Sequence, residues 1–152
     1  MSLIGMFLLT LFLSEKVYKY FEKKKRLKRL SKSNITTVDK MDGDQFEIYL
    51  QALLQRLGYK AVVTQKSRDF GADLIIKGKK RIVVQAKRYK THNKVGISAV
   101  QEIYAAQRYY KANESWIITN SLYTKSAIEL AKACDVKLID RFELVKLMEQ
   151  NL

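Results

Sequence analysis

Asp73, Gln85 and Lys87 are the residues of this 152-residue chain whose types and spacing suit chemistry. Asp73 stands just before the apolar run Leu74-Ile75-Ile76, and Gln85 and Lys87 close the β-branched run that begins at Ile82. Between them lies Lys77-Gly78-Lys79-Lys80, a polar, glycine-containing segment that reads as a hairpin turn. Residues i and i+2 of a strand share a face. Gln85 and Lys87 therefore project together, and Val84 and Ala86 face the other way. Pairing through the turn brings Asp73 near Gln85. A carboxylate, an amide oxygen and an ammonium then converge at one end of a hairpin.

The simplest chemistry for such a set is divalent-metal-dependent phosphodiester hydrolysis. Mg²⁺, for which Mn²⁺ can substitute, prefers oxygen ligands and takes only one or two carboxylates from a protein. Asp73 supplies the carboxylate; the amide oxygen of Gln85 and the backbone carbonyl of Ala86 supply neutral oxygens. Lys87 is placed to orient water or to stabilise oxyanions in the transition state. No Ser/His/Asp or Cys/His arrangement competes, because His92 and Cys134 are the only residues of their types. One Cys and one His make no zinc site and no intrachain disulfide, and a single Cys fits a reducing compartment. Asp69 reads as support for the turn at Asp69-Phe70-Gly71 rather than as a ligand.

The elements that must position these residues follow from periodicity. Asp42 or Asp44 caps a helix carrying Phe46, Leu50, Leu53, Leu54 and Leu57 at helical spacing, with Gly58 where a C-terminal cap belongs. Glu47 falls at the rim of that apolar stripe, where a solvated carboxylate is the plain reading. Tyr59 to Gln65 reads as a strand, followed by the two strands of the hairpin. Gly96 to Ala112 and Thr124 to Cys134 read as helices, Trp116 to Thr119 and Val136 to Ile139 as buried strands, and Phe142 to Met148 as a closing helix. The order α-β-β-β-α-β-α-β-α implies an α/β fold, a mixed sheet flanked by helices.

Ahead of this domain (41–152), residues 1–30 form an apolar and then polybasic arm, and residues 31–40 read as a polar linker. Leu3 to Leu13 is almost wholly apolar, shorter than the roughly 20 residues a spanning helix needs. No basic residue precedes it and no cleavage site follows, unlike a secretory signal. Lys23 to Arg29 is a polybasic block of the kind that sits against an anionic cytoplasmic leaflet. Attachment to the cytoplasmic side of a membrane is the leading reading of the arm. A helix packing on a partner or on a second copy, and a basic nucleic-acid-binding arm in a cytoplasmic protein, are the alternatives. The net charge of +14 is not confined to the arm: ten basic and three acidic residues lie up to Lys40, nineteen and twelve beyond it. Such an excess favours a polyanionic partner.

Asp69-x-Gly71-x-Asp73, followed after a spacer by Gln85-x-Lys87-Arg88-Tyr89, resembles the Mrr-like restriction endonucleases, a Q-x-K branch of the PD-(D/E)xK nuclease superfamily. The resemblance extends over roughly Met41 to Met148 and includes Phe46-Glu47, Leu57-Gly58-Tyr59 and Ile118-Thr119-Asn120-Ser121. It implies a restriction-endonuclease-like fold and Mg²⁺-dependent cleavage of DNA, often in type IV restriction of modified foreign DNA. It assigns Asp73, Gln85 and Lys87 as the metal-binding and catalytic set and matches Glu47 to an acidic position that supports the site. The wider superfamily has Asp or Glu where Gln85 stands, so this chain carries one negative charge less, for which Glu47 is the expected compensation. The partner implied is DNA, held through phosphates by Lys66, Arg68, Arg88, Lys90 and Lys94, with Lys79 and Lys80 nearby. No separate reader module is visible, so specificity is expected from a partner or a homodimer. A noncatalytic binding or membrane-tethered domain that keeps the nuclease fold, and a DNA-repair or junction nuclease, are the alternative functions.

Overall fold

In the computed structural model, which describes residues 3–65, 70–90 and 92–150, the run from Ile82 becomes the middle strand of five. Six helices and five strands follow in the order α1 (Leu3–Leu30), α2 (Ile35–Val38), α3 (Gly43–Arg56), β1 (Lys60–Val63), β2 (Leu74–Lys77), β3 (Ile82–Lys87), α4 (Ile97–Tyr109), β4 (Glu114–Thr119), α5 (Lys125–Ala133), β5 (Val136–Ile139) and α6 (Arg141–Glu149). From α3 onward this is the order that the sequence implies. The strands lie in chain order across one sheet. β1, β2 and β3 are antiparallel neighbours, and β3, β4 and β5 are parallel. The tight Lys77–Lys80 turn permits only an antiparallel hairpin, whereas α4 and α5 supply the long crossovers that parallel strands require.

Alternation along the strands sorts two cores. Ile82, Val84, Trp116 and Ile118 pack with Phe46, Leu50, Leu53 and Leu54 of α3 and with Leu144 of α6. Val83, Ile117 and Val136 pack on the opposite face with Val100 and Ile103 of α4 and Ala127 of α5. The result is a sheet with a helical layer on each side, and the faces of β3 are assigned by packing. Asp42 caps α3 and forms a reciprocal capping box with Gln45, and Gly58, at a left-handed φ of 92°, turns the chain out of that helix toward β1.

Residues 31–40, expected as a linker, are docked onto the domain. Asn34 caps the short α2, Ser31 is buried, and Val38 is fully buried in the α3-side core. Asp39 meets Arg141 in a two-pronged ion pair, Oδ1 at 2.7 Å from Nη1 and Oδ2 at 2.8 Å from Nη2. Asp39 Oδ1 also accepts from Asn120 Nδ2 at 2.9 Å. The polar composition suggests a loose segment because its one core residue is isolated and its ionic partner lies 102 residues away.

The arm is a single unbroken helix, α1, carrying both the apolar run and the polybasic block. Phe7, Leu8, Phe12, Leu13 and Val17 are all half or more exposed, so the apolar character is not a stripe turned toward the domain. Leu30, at its C-terminal end, packs against the α3-side core. Among the described residues no helix is long and apolar enough to cross a membrane.

The Asp39–Arg141 pair generates a pH-dependent prediction. The hydrogen bond from Arg141, helped by Asn120 and opposed by desolvation, holds the Asp39 carboxyl below its ordinary value. Its stabilising contribution is therefore complete above the ordinary aspartate pKa of about 3.9 and is lost as pH falls through the lower folded-state value. Urea denaturation at pH 7 should find Asp39→Asn less stable by about 2 kcal/mol. The gap between wild type and variant should close on acidification toward pH 2. A constant gap would mean that the charge is not what the variant removes.

Candidate active site

Past the end of β2 the sheet continues through a side chain. Leu74 pairs with Val84, so one step further places Asp73 beside Gln85, as the hairpin reading requires. The Asp73 N–H donates to the Val84 carbonyl at 2.9 Å, and its own carbonyl accepts the Thr64 N–H at 2.9 Å. Asp73 Oδ2 accepts the Ala86 N–H at 2.7 Å, where a continuing strand would have offered a carbonyl. The N–H and C=O of one strand residue point to the same side. The Ala86 carbonyl therefore shares the Asp73 edge of β3.

Gln85 and Lys87 both project toward α4, where Glu102 meets them. Glu102 Oε2 accepts from Gln85 Nε2 at 2.6 Å and from Lys87 Nζ at 3.0 Å. A carboxylate only accepts, so it can receive only the NH₂ end of the Gln85 amide. Oε1 is thereby turned the other way. Gln85 is only 3% exposed, and among the described residues its buried Oε1 meets no hydrogen-bond donor. Leaving such an oxygen unsatisfied costs about 1–3 kcal/mol. Lys87 is less enclosed, its side chain 25% exposed, so its ammonium is accessible from solvent.

The turn before Asp73 is shaped to lie against the same point of α4. Phe70 and Gly71 both take left-handed φ values, 46° and 87°. The Phe70 ring rests on Tyr109 of α4 with centroids 3.9 Å apart. A Cβ on Gly71 would stand 3.2 Å from the Glu102 carbonyl oxygen and 3.3 Å from the Glu102 Cβ. Glycine thus meets two demands at once, a positive φ and a close approach to a helix backbone.

The structure brings Asp73, Gln85, Ala86 and Lys87 to one end of the sheet and adds Glu102. Sequence reasoning missed Glu102, although it is the only acidic residue in α4 and adjoins the buried Val100–Ile103 stripe. Glu47, the compensating carboxylate expected from α3, is half-buried in the layer on the opposite face of the sheet from Gln85 and Lys87. Of the basic residues expected to hold DNA, Lys90 and Lys94 are exposed. Lys80 is paired with Glu114. Arg88 is turned inward and donates to the Asp39 carbonyl, so its guanidinium serves the docked 31–40 segment. Lys66, Arg68 and Asp69 lie outside the described residues. Among the described residues no three His, Cys, Asp or Glu side chains group to hold a metal. At the same end of the sheet, the Asp73 carboxylate, the buried Gln85 Oε1 and the Ala86 carbonyl offer oxygen atoms only, with one charge. That composition fits a hard cation such as Mg²⁺ or Mn²⁺ and not zinc.

A family model described as a restriction endonuclease, Mrr_cat, matches residues 38–148. No curated protein matches the chain. Among solved structures the chain is similar to the DNA modification-dependent restriction endonuclease AspBHI, with a TM-score of 0.58 and 20% identity over 84% of this chain and 35% of that one. It is also similar to AF1548, a protein of unknown function, with a TM-score of 0.54 and 17% identity over 63% of this chain and 56% of that one. The MspJI restriction endonuclease in complex with a 27-mer oligonucleotide gives a TM-score of 0.45 and 17% identity over 88% of this chain and 29% of that one. The chain thus spans little more than half of AF1548 and about a third of AspBHI. The likenesses to AspBHI and AF1548 show the fold, a mixed sheet between helices.

Gly71→Ala should cost about 1–2 kcal/mol from the left-handed backbone alone, with a further loss if α4 must give way. Chemical denaturation measures it directly. A stability equal to wild type would show that the turn relaxes without disturbing α4.

Proposed function

The chain belongs to the Mrr_cat restriction endonuclease family, and from that premise we propose that it is a divalent-metal-dependent DNA endonuclease acting in restriction of foreign or modified DNA. The observation that carries the proposal is the buried, donorless Gln85 Oε1, adjacent in strand register to Asp73. An oxygen in that state is costly unless a ligand completes it, and a neighbouring carboxylate favours a cation there. Asp73, Gln85 and the Ala86 carbonyl would hold it.

When bound, the cation would supply Lewis-acid polarisation of the phosphate and a water of lowered pKa. Every other contribution comes from the chain. Asp73 is held by backbone bonds on both sides, so its carboxylate needs no reorganisation. Lys87, its ammonium fixed by Glu102, is placed to donate to a phosphate oxygen as negative charge accumulates. Glu47 is proposed to add negative charge from α3. Lys90 and Lys94, with Lys66 and Arg68, would track the DNA backbone and make affinity fall with salt. Residues 41–152 with the docked 31–40 segment would form the catalytic unit.

A specific observation also favours a membrane partner for α1. Its apolar residues are exposed on every side, the pattern of a helix surrounded by lipid rather than of one packed by a stripe. The run from Leu3 to Leu13 is about 16 Å long, close to half of a hydrocarbon core of roughly 30 Å. Lys16 and Lys19 then lie at the level of the headgroups, and the block from Lys23 to Arg29 starts about 15 Å beyond Leu13, facing the anionic surface. We propose that α1 seats in the cytoplasmic leaflet without crossing it.

Plasmid nicking with Mg²⁺ or Mn²⁺ tests the catalytic reading. Asp73→Ala and Lys87→Ala should each lower the rate by at least about 100-fold. Cleavage that survives both substitutions removes the site. Wild type that binds DNA in a salt-sensitive way but never cuts would favour a noncatalytic binding domain. A panel of methylated and branched DNA separates restriction from repair. For α1, full-length protein should sediment with phosphatidylglycerol-containing vesicles, and Leu8→Glu with Phe12→Glu should release it. Protein that stays in the supernatant in both forms sinks the membrane proposal.

A further inference from the structure

We infer that Glu102 is a positioning residue for the metal site, supplying from α4 the carboxylate that β3 lacks at Gln85. This rests on the proposed metal-dependent nuclease reading and adds to it a residue, a role and a reason for the neutral strand ligand. A glutamine offers two chemically different ends of similar shape, and only the oxygen can ligate a cation. Glu102 selects between them. Its Oε2 lies 2.6 Å from Gln85 Nε2, which leaves Oε1 facing away from α4 and without a donor.

The same oxygen holds Lys87 Nζ at 3.0 Å. Without it the ammonium would be an uncompensated positive charge beside the cation. Asp73 and Lys87 alone sum to zero charge, whereas with Glu102 the cluster is negative and attracts a divalent ion. Glu102 is also the point of α4 that Gly71 abuts, at 3.2 Å from its backbone to a Cβ on that glycine. One residue therefore touches all three parts of the site: the turn that presents Asp73, the amide and the ammonium. Its side chain is about half exposed, 47%, so the isosteric Glu102→Gln exchange removes charge without opening a cavity.

Partners that orient metal ligands typically change metal affinity by 10–100-fold when removed. Mn²⁺ binding to the full-length chain without DNA, followed by electron paramagnetic resonance, reads this without relying on turnover. Wild type should bind one ion, and Asp73→Asn should abolish binding. Glu102→Gln should weaken binding at least about tenfold with its thermal unfolding unchanged.

A double-mutant cycle supplies the second readout. Gln85→Glu alone sets two carboxylates against each other across the 2.6 Å contact, so it should bind no better than wild type. Combined with Glu102→Gln it exchanges the charge across that contact and should restore binding to within a few-fold of wild type. This double variant also decides the matter if Glu102→Gln folds poorly. Unchanged Mn²⁺ affinity in folded Glu102→Gln, or additive effects in the cycle, overturns the role of Glu102 and leaves the nuclease reading standing. Wild type that neither binds Mn²⁺ through Asp73 nor nicks DNA overturns both.

Discussion

The hydrogen bond from the Ala86 N–H to the Asp73 carboxylate is the contact on which the candidate site depends. β2 begins only at Leu74, and the side chain of the residue before it takes the place of the missing strand opposite Ala86. An ionised acceptor makes that bond stronger than an ordinary ladder bond. The same contact delivers a carboxylate to the end of β3, beside the amide of Gln85 and on the edge faced by the Ala86 carbonyl. One interaction thus fixes the turn before β2 to the central strand β3 and sets the Asp73 carboxylate there.

Two clamps on opposite faces of the sheet hold that junction. On the α4 face, Glu102 ties together Gln85 and Lys87, and its backbone leaves no room for a side chain on the glycine turn before Asp73. On the other, the ion pair of Asp39 with Arg141, with Asn120 bridging to Tyr89, fastens the segment after α1 to the strand ends just beyond β3 and β4. Arg88 follows Lys87 in sequence yet serves the second clamp through the Asp39 carbonyl. Adjacent basic residues thus have different tasks, because successive strand side chains leave on opposite faces. The arm is connected to the candidate-site end of the domain through this second clamp rather than through a free linker.

Much of the fold was legible from periodicity. The apolar spacing of α3, the β-branched run of β3 and the turn at Lys77–Lys80 are local signals, and each element appears where its signal stands. The approach of Asp73 to the end of β3 and the shared face of Gln85 and Lys87 were also readable, since a tight hairpin dictates register. Strand ends were less so. The first strand stops at Val63 rather than at Gln65, and α4 stops at Tyr109, short of Ala112. The docking of residues 31–40 was not legible, because polarity is a local property, whereas docking depends on Arg141 and a single buried valine.

The amino-acid sequence by itself determined which chemistry this chain offers: one carboxylate, one amide and one ammonium at a strand spacing that puts them together. It determined as well the order of elements from α3 onward, since hydrophobic period and capping are written within a few residues of where they act. Only the tertiary structure decided which helix completes the site. The packing of Val83 against α4 and of Val84 against α3 assigns the two faces of β3, and with them Glu102 as the carboxylate that Gln85 and Lys87 reach. No spacing rule links residue 85 to residue 102 across a loop and a helix turn. The contact exists because a twisted sheet and a crossover helix must bury their apolar faces against each other.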